Sequence, residues 1–130
     1  MSHDIFVVED NKTEGLLMKL ALTGIPNAKI TQFDTGEELV DALHQASPSI
    51  VITDLNLPGI QGTEVIEKVH QVDRNIRVII VSATKDIETI IEVQEMGIDN
   101  FLIKSEGCLK YLRNVISDLL KLVELDKAST

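Results

Sequence analysis

The chain has 130 residues, a net charge of −9 and a single cysteine, with 44% hydrophobic but only 3% aromatic residues. That is the size of one domain with an aliphatic core of Val, Ile and Leu. No apolar run is long enough to span a bilayer, and the start, Met1-Ser-His-Asp4, carries no signal-peptide pattern. Cys108 cannot close an internal disulfide, so a cytoplasmic protein without a membrane segment is expected. The acidic balance without a Lys/Arg cluster argues against direct nucleic-acid binding by this chain and suits basic partners or divalent cations.

The first apolar run, Ile5-Phe-Val-Val8, ends in Glu9-Asp10. Asn11 can cap a helix, with Glu14 as its reciprocal capping-box partner. That helix places Leu16, Leu17 and Leu20 on one face, and Gly24 and Pro26 stop it. Ala28 to Phe33 alternates only partly and reads as an edge strand. Thr35 and Glu38 form a second capping box, followed by Leu39, Val40 and Leu43 at helical spacing. Ser47-Pro48-Ser49 then breaks the chain before Ile50-Val-Ile-Thr53, a strand buried on both faces that runs into Asp54 and the turn Leu-Asn-Leu-Pro58-Gly59.

Val65, Ile66 and Val69 mark a third helix, and Val78 to Val81 a fourth strand ending in Ser82-Ala83-Thr84. Asp86 opens a fourth helix with Ile87, Ile90 and Ile91 inward, ended by Gly97. Ile98 to Ile103 is a fifth strand ending in Lys104. The last helix, starting near Ser105, carries Leu109, Leu112, Ile116, Leu119, Leu120 and Val123 on one stripe. Residues 1–125 thus form one domain, and 126–130 a polar tail. Strict alternation of five buried strands with five helices implies a parallel α/β sheet covered on both faces.

Glu9 and Asp10, Asp54, Ser82 and Lys104 all fall at carboxyl ends of strands, which parallel strands bring to one sheet edge. At roughly 4–5 Å and an effective dielectric near 20, each pair of carboxylates costs about 4 kcal/mol, so the cluster calls for a cation. Mg²⁺ suits a few carboxylates plus waters, and Lys104 adds a fixed charge. The chemistry reads as phosphoryl transfer to an Asp nucleophile. The histidines, His3, His44 and His70, show no ligand spacing and read as solvated surface positions. Cys108 reads as packing in or beside the last helix.

Val8-Glu-Asp-Asn11, Asp54-Leu-Asn-Leu-Pro-Gly59, Ser82-Ala83 and Lys104, in this order and across nearly the whole chain, resemble the receiver domain of bacterial response regulators in two-component signalling. The resemblance implies a flavodoxin-like (βα)5 fold with strand order 2-1-3-4-5. It makes Asp54 the phosphoacceptor, Asp10 a direct Mg²⁺ ligand and Glu9 a ligand through water. The backbone carbonyl of Asn56 becomes a further contact to the ion, and Lys104 the phosphate-pairing lysine. Ser82 and Phe101 become the switch pair, moving together on phosphorylation. A histidine kinase or histidine phosphotransfer protein is the implied donor, and an output protein or fused effector domain the implied target. Ser105 stands where the family usually has Pro. A trans Lys104–Ser105 bond is expected, with Ser105 capping the last helix.

The alternative is a small Mg²⁺-dependent phosphatase of the haloacid dehalogenase type, which needs a second Asp two residues after the nucleophile. Here that position is Asn56, which cannot shuttle a proton. Flavodoxin-like cofactor binding fails because Glu9-Asp10-Asn11 would repel a phosphate.

Overall fold

The computed structural model describes residues 2–128. In chain order it contains β1 (His3–Val8), α1 (Lys12–Leu22), β2 (Ala28–Phe33), α2 (Gly36–Ala42) and β3 (Ile50–Thr53). Then come α3 (Gly62–Val72), β4 (Arg77–Ser82), α4 (Ile87–Glu95), β5 (Asn100–Ile103) and α5 (Cys108–Ala128). The strands form one parallel sheet in the order β2-β1-β3-β4-β5, as expected for a flavodoxin-like fold. β2 is an edge strand, paired with β1 alone. Ser129 and Thr130, the end of the expected polar tail, lie outside the described residues. Among the described residues no helix is long and apolar enough to cross a membrane.

Successive strand residues point to opposite faces, and both faces are covered. Phe6, Val8, Val51, Val78 and Ile80 pack with Leu39 of α2, Val65, Ile66 and Val69 of α3 and Val93 of α4. Ile5, Val7, Ile50, Ile52, Ile79 and Val81 pack on the other face with Met18 and Leu22 of α1 and Leu112, Ile116 and Leu120 of α5. The central strands therefore read as continuous apolar runs. Each such side chain contributes about 1.5–3 kcal/mol on burial.

Three expectations are corrected. Leu16, Leu17 and Leu20 of α1 do not face the core; they are 57%, 47% and 60% exposed. The inward face of α1 is Gly15, Met18 and Leu22, spaced three and four residues apart. On α4, Ile87 and Ile91 are likewise exposed and Ile90 half-buried, while Val93 is the helix's one buried residue. His3 is not a solvated histidine: it is buried in β1, with Nδ1 3.3 Å from Ser49 Oγ and Nε2 3.4 Å from Glu124 Oε1. His44 is exposed and His70 half-buried.

Candidate functional site

The register sets Val8 beside Thr53, Thr53 beside Ile80, and Ser82 beside Ile103. The residues that follow these strand ends, Glu9-Asp10, Asp54 and Lys104, therefore gather with Ser82 at one edge of the sheet. Asp54 is buried, and both its oxygens are engaged. Oδ1 accepts from the Asn56 backbone N–H at 3.2 Å, and Oδ2 accepts from Lys104 Nζ at 2.7 Å. The turn behind it is closed by Gly62 N–H donating to Leu55 O at 2.9 Å. A Cβ at Gly62 would run into the Asp54 carbonyl and the Leu55 Cα, so only glycine lets α3 start this close to the loop.

Glu9 is 5% exposed. Its Oε1 accepts from Lys104 Nζ at 2.7 Å, and its Oε2 is buried without a hydrogen-bond partner. Burial, the nearby Glu14 carboxylate and, more weakly, the Asp54 charge push the Glu9 pKa up to about 7, against the opposing pull of Lys104. Oxygens of Glu9, Asp10 and Asp54 lie within 4.8 Å of one another, an all-oxygen set that could hold a metal ion. Asp10 is solvent-exposed, so the group opens to water on that side.

Glu14 joins this group, which the capping-box reading missed. Asn11 does cap α1, accepting from Glu14 N–H at 3.0 Å, but the Glu14 side chain turns away from the cap. Its Oε2 accepts from Lys104 Nζ at 2.6 Å. The neighbouring Glu9 carboxyl group, which holds its own proton more tightly, and then the Lys104 ammonium keep Glu14 below the ordinary carboxylate range. Burial alone would lower the Lys104 pKa, but hydrogen bonds to Asp54, Glu14 and Glu9 outweigh it and push the ammonium well above its usual range. The sequence clue to Glu14 was an acid in the first turn of the helix that follows Glu9-Asp10, at the same sheet edge.

Ser82 is fully buried, and its Oγ accepts from Thr84 N–H at 3.3 Å. Phe101 is half-buried and packs against the core beneath α3 and α4. Asn56 is exposed. No peptide bond among the described residues is cis, so Lys104–Ser105 is trans. Ser105 does not cap α5 through its side chain. Its hydroxyl donates to Ile103 O at 3.3 Å, and α5 begins only at Cys108, after Gly107 at a φ of 84°. Cys108 is half-buried against the α1/α5 side of the core.

The sequence model described as "Response regulator receiver domain" matches residues 5–116. The DNA-binding transcriptional regulator NtrC of Klebsiella pneumoniae is 27% identical over 99 residues, which are 76% of this chain and 21% of that protein. This chain therefore spans about a fifth of the length of that relative. Sporulation initiation phosphotransferase F of Bacillus subtilis is 28% identical over 97 residues, 75% of this chain and 77% of that protein. The crystal structure of the phosphorylated cyanobacterial phytochrome response regulator RcpA shares the fold. Its TM-score is 0.83 at 22% identity, covering 92% of this chain and 95% of that one. With the sheet order, the strand-end cluster and the family match in agreement, the chain belongs to the response regulator receiver domain family of two-component signalling.

Proposed function

We propose that Asp54 accepts a phosphoryl group from a phosphohistidine on a histidine kinase or phosphotransfer protein, in the cytoplasm, and that this switches a partner-binding face. The observation that carries the reading is Lys104 Nζ on Asp54 Oδ2 at 2.7 Å, with the Glu9 and Asp10 carboxylates within 4.8 Å of Asp54. An Asp54 oxygen attacks phosphorus, the new O–P bond forms as the N–P bond breaks, and the departing imidazole takes the electron pair and then a proton. The fit of a hard divalent cation is supported by the all-oxygen donor set and by the buried, unpartnered Glu9 Oε2. Mg²⁺ would be held by Asp10 and Asp54, with the Asn56 carbonyl and, through water, Glu9. When bound it supplies charge neutralisation for the transferring oxygens. The Lys104 ammonium, already on Asp54 Oδ2, adds a fixed positive charge for the same oxygens.

In this reading Ser82 donates its hydroxyl to the arriving phosphoryl group, which draws it from the Thr84 N–H and lets Phe101 turn further inward. The face that responds lies over α4, β5 and α5, where Ile87, Ile91, Ile103 and Tyr111 are exposed. That surface suits an output protein or a fused effector domain. The exposed Leu16 and Leu17 flank the site, beside Glu9 and Lys104 respectively, and suit the apolar side of the phosphodonor. Turnover of free phosphomonoesters is not part of the proposal, because the amide of Asn56 offers no acid–base proton.

With Mg²⁺ and a small acyl phosphate, intact-mass measurement should show one added phosphate that is absent from Asp54→Asn. Equal labelling of that variant would overturn the assignment.

A further inference from the structure

An ammonium group has three N–H donors, and Lys104 spends them on Glu9 Oε1 at 2.7 Å, Asp54 Oδ2 at 2.7 Å and Glu14 Oε2 at 2.6 Å. Two of these acceptors belong to the group that could hold a metal ion; Glu14 does not. Lys104 is therefore an internal cation seated on carboxylates that a divalent ion also needs. The three partners differ in burial. The side chains of Glu9 and Asp54 are 2% and 9% exposed, and that of Glu14 is 43% exposed. Glu14 stands on the flank of the site, where it and Lys104 line a cavity of about 200 Å³ together with Leu17, Met18, Cys108 and Leu109.

We propose that Glu14 is a positioning residue that keeps hold of Lys104 when Glu9 and Asp54 turn to a divalent cation, so that the ammonium withdraws to α1 without leaving the site. The inference rests on the cation site proposed above. Before the exchange Glu14 supplies one of three acceptors; afterwards it supplies the one that Lys104 keeps. It is worth more in the cation-bound state, and that difference is what shifts an equilibrium. Without it, a partly buried ammonium would have to give up Glu9 and Asp54 with no replacement, which costs affinity for the incoming ion. Glu14 thus acts through Lys104, and that separates it from a carboxylate that attracts cations through space.

The test is a double-mutant cycle read by equilibrium binding of Mg²⁺ to the full chain, by calorimetric titration without any phosphodonor. Glu14→Gln should weaken Mg²⁺ binding about two- to five-fold, the worth of a partly exposed ion pair. In a Lys104→Met background, where Glu9 and Asp54 are already free, most of that loss should disappear. Cooperative melting of each ion-free variant above the titration temperature would show that each still folds, and Glu14→Asp, which keeps the charge on a shorter arm, should restore part of the affinity. An equal loss in both backgrounds would mean simple through-space attraction and would overturn the proposal, as would no loss in the unaltered background. If the unaltered chain binds no Mg²⁺ at all, the cation site proposed above fails along with it. Binding that is indifferent to Glu14 sinks this inference alone.

Discussion

At the amino-terminal edge of the sheet, Arg77 reaches Asp99 at 3.4 Å and Asp126 at 2.8 Å, and His3 sits between Ser49 and Glu124. At the carboxyl-terminal edge, Glu9, Glu14 and Asp54 share the one ammonium of Lys104, and Asp10 stands beside them. Both edges collect charged side chains from several elements. At the first, Arg77 and His3 each meet acceptors on neighbouring elements, and Asp99 Oδ2 also takes the Val78 N–H at 2.7 Å. At the second, acceptors outnumber donors and a buried oxygen of Glu9 is left without a partner. A satisfied network adds stability to a fold, whereas an unsatisfied one costs stability and persists where chemistry needs it. The same side-chain types thus support the fold at one edge and poise a reaction at the other.

The largest expected effect tests the satisfied edge. His3→Ala removes a ring that is 2% exposed and strips partners from Ser49 and Glu124. With Glu124 as acceptor the ring proton belongs on Nε2, leaving Nδ1 to accept from the Ser49 hydroxyl. The variant should lose about 2–3 kcal/mol in urea unfolding, from the cavity and the broken bonds together. Mg²⁺ affinity should not change. A change in affinity of the size expected for Glu14→Gln would mean that the two edges are coupled.

Glu9→Gln should act in the opposite direction. Glu9 holds its proton more tightly in the folded chain, with a pKa of about 7 against an ordinary value of 4.5. The folded state therefore binds more protons between these values, and stability falls as pH rises through the interval. This contribution is fully present below about pH 4.5 and lost above about pH 7. Glu14 shifts the other way, so its contribution is lost only in more acid solution. Gln mimics the neutral carboxyl at every pH. Without divalent ions the variant should match the parent at about pH 4 and exceed it by on the order of 1–2 kcal/mol at about pH 8. It should also gain less stability from Mg²⁺. A variant less stable than its parent near pH 8 would show that the Lys104 bond outweighs the burial of the Glu9 charge.

The α/β architecture was legible because each central strand is apolar on both faces, and because polar residues mark the strand ends where parallel pairing must collect them. The sheet order came from the family resemblance. Asp54, Asp10, Glu9, Ser82 and Lys104 could be brought to one edge without knowing any side-chain contact. What was not legible was the choice between faces that are equally apolar. On α1, Leu16, Leu17 and Leu20 make as good a stripe as Gly15, Met18 and Leu22, and only the docking of the helix on the sheet and α5 decides between them. The Ile87 and Ile91 reading failed for the same reason, since burial on α4 falls on Val93. His3 and Glu14 were missed because their partners are distant in the chain: Glu124 lies 121 residues from His3, and Lys104 lies 90 from Glu14.

Arg77→Met should give the smallest change, and its salt dependence sharpens the contrast between the edges. The Arg77 side chain is 26% exposed and that of Asp126 is 72% exposed, so much of this pairing takes place in solvent. Asp99 keeps the Val78 N–H when the guanidinium is gone, so no buried acceptor is orphaned. Methionine preserves most of the apolar stem of Arg77, the first residue of β4. The loss should be at most about 1 kcal/mol at low ionic strength, and smaller in about 0.5 M NaCl, where the Debye length shrinks to a few ångströms. The Glu9→Gln gain near pH 8 should persist in the same salt, because Glu9 is 5% exposed and its pKa is raised mainly by burial. Urea unfolding of both variants at low and high NaCl reads the two responses side by side. If the Arg77 loss is insensitive to salt while the Glu9 gain is abolished by it, the assignment of a solvated, satisfied edge and a buried, unsatisfied one is reversed.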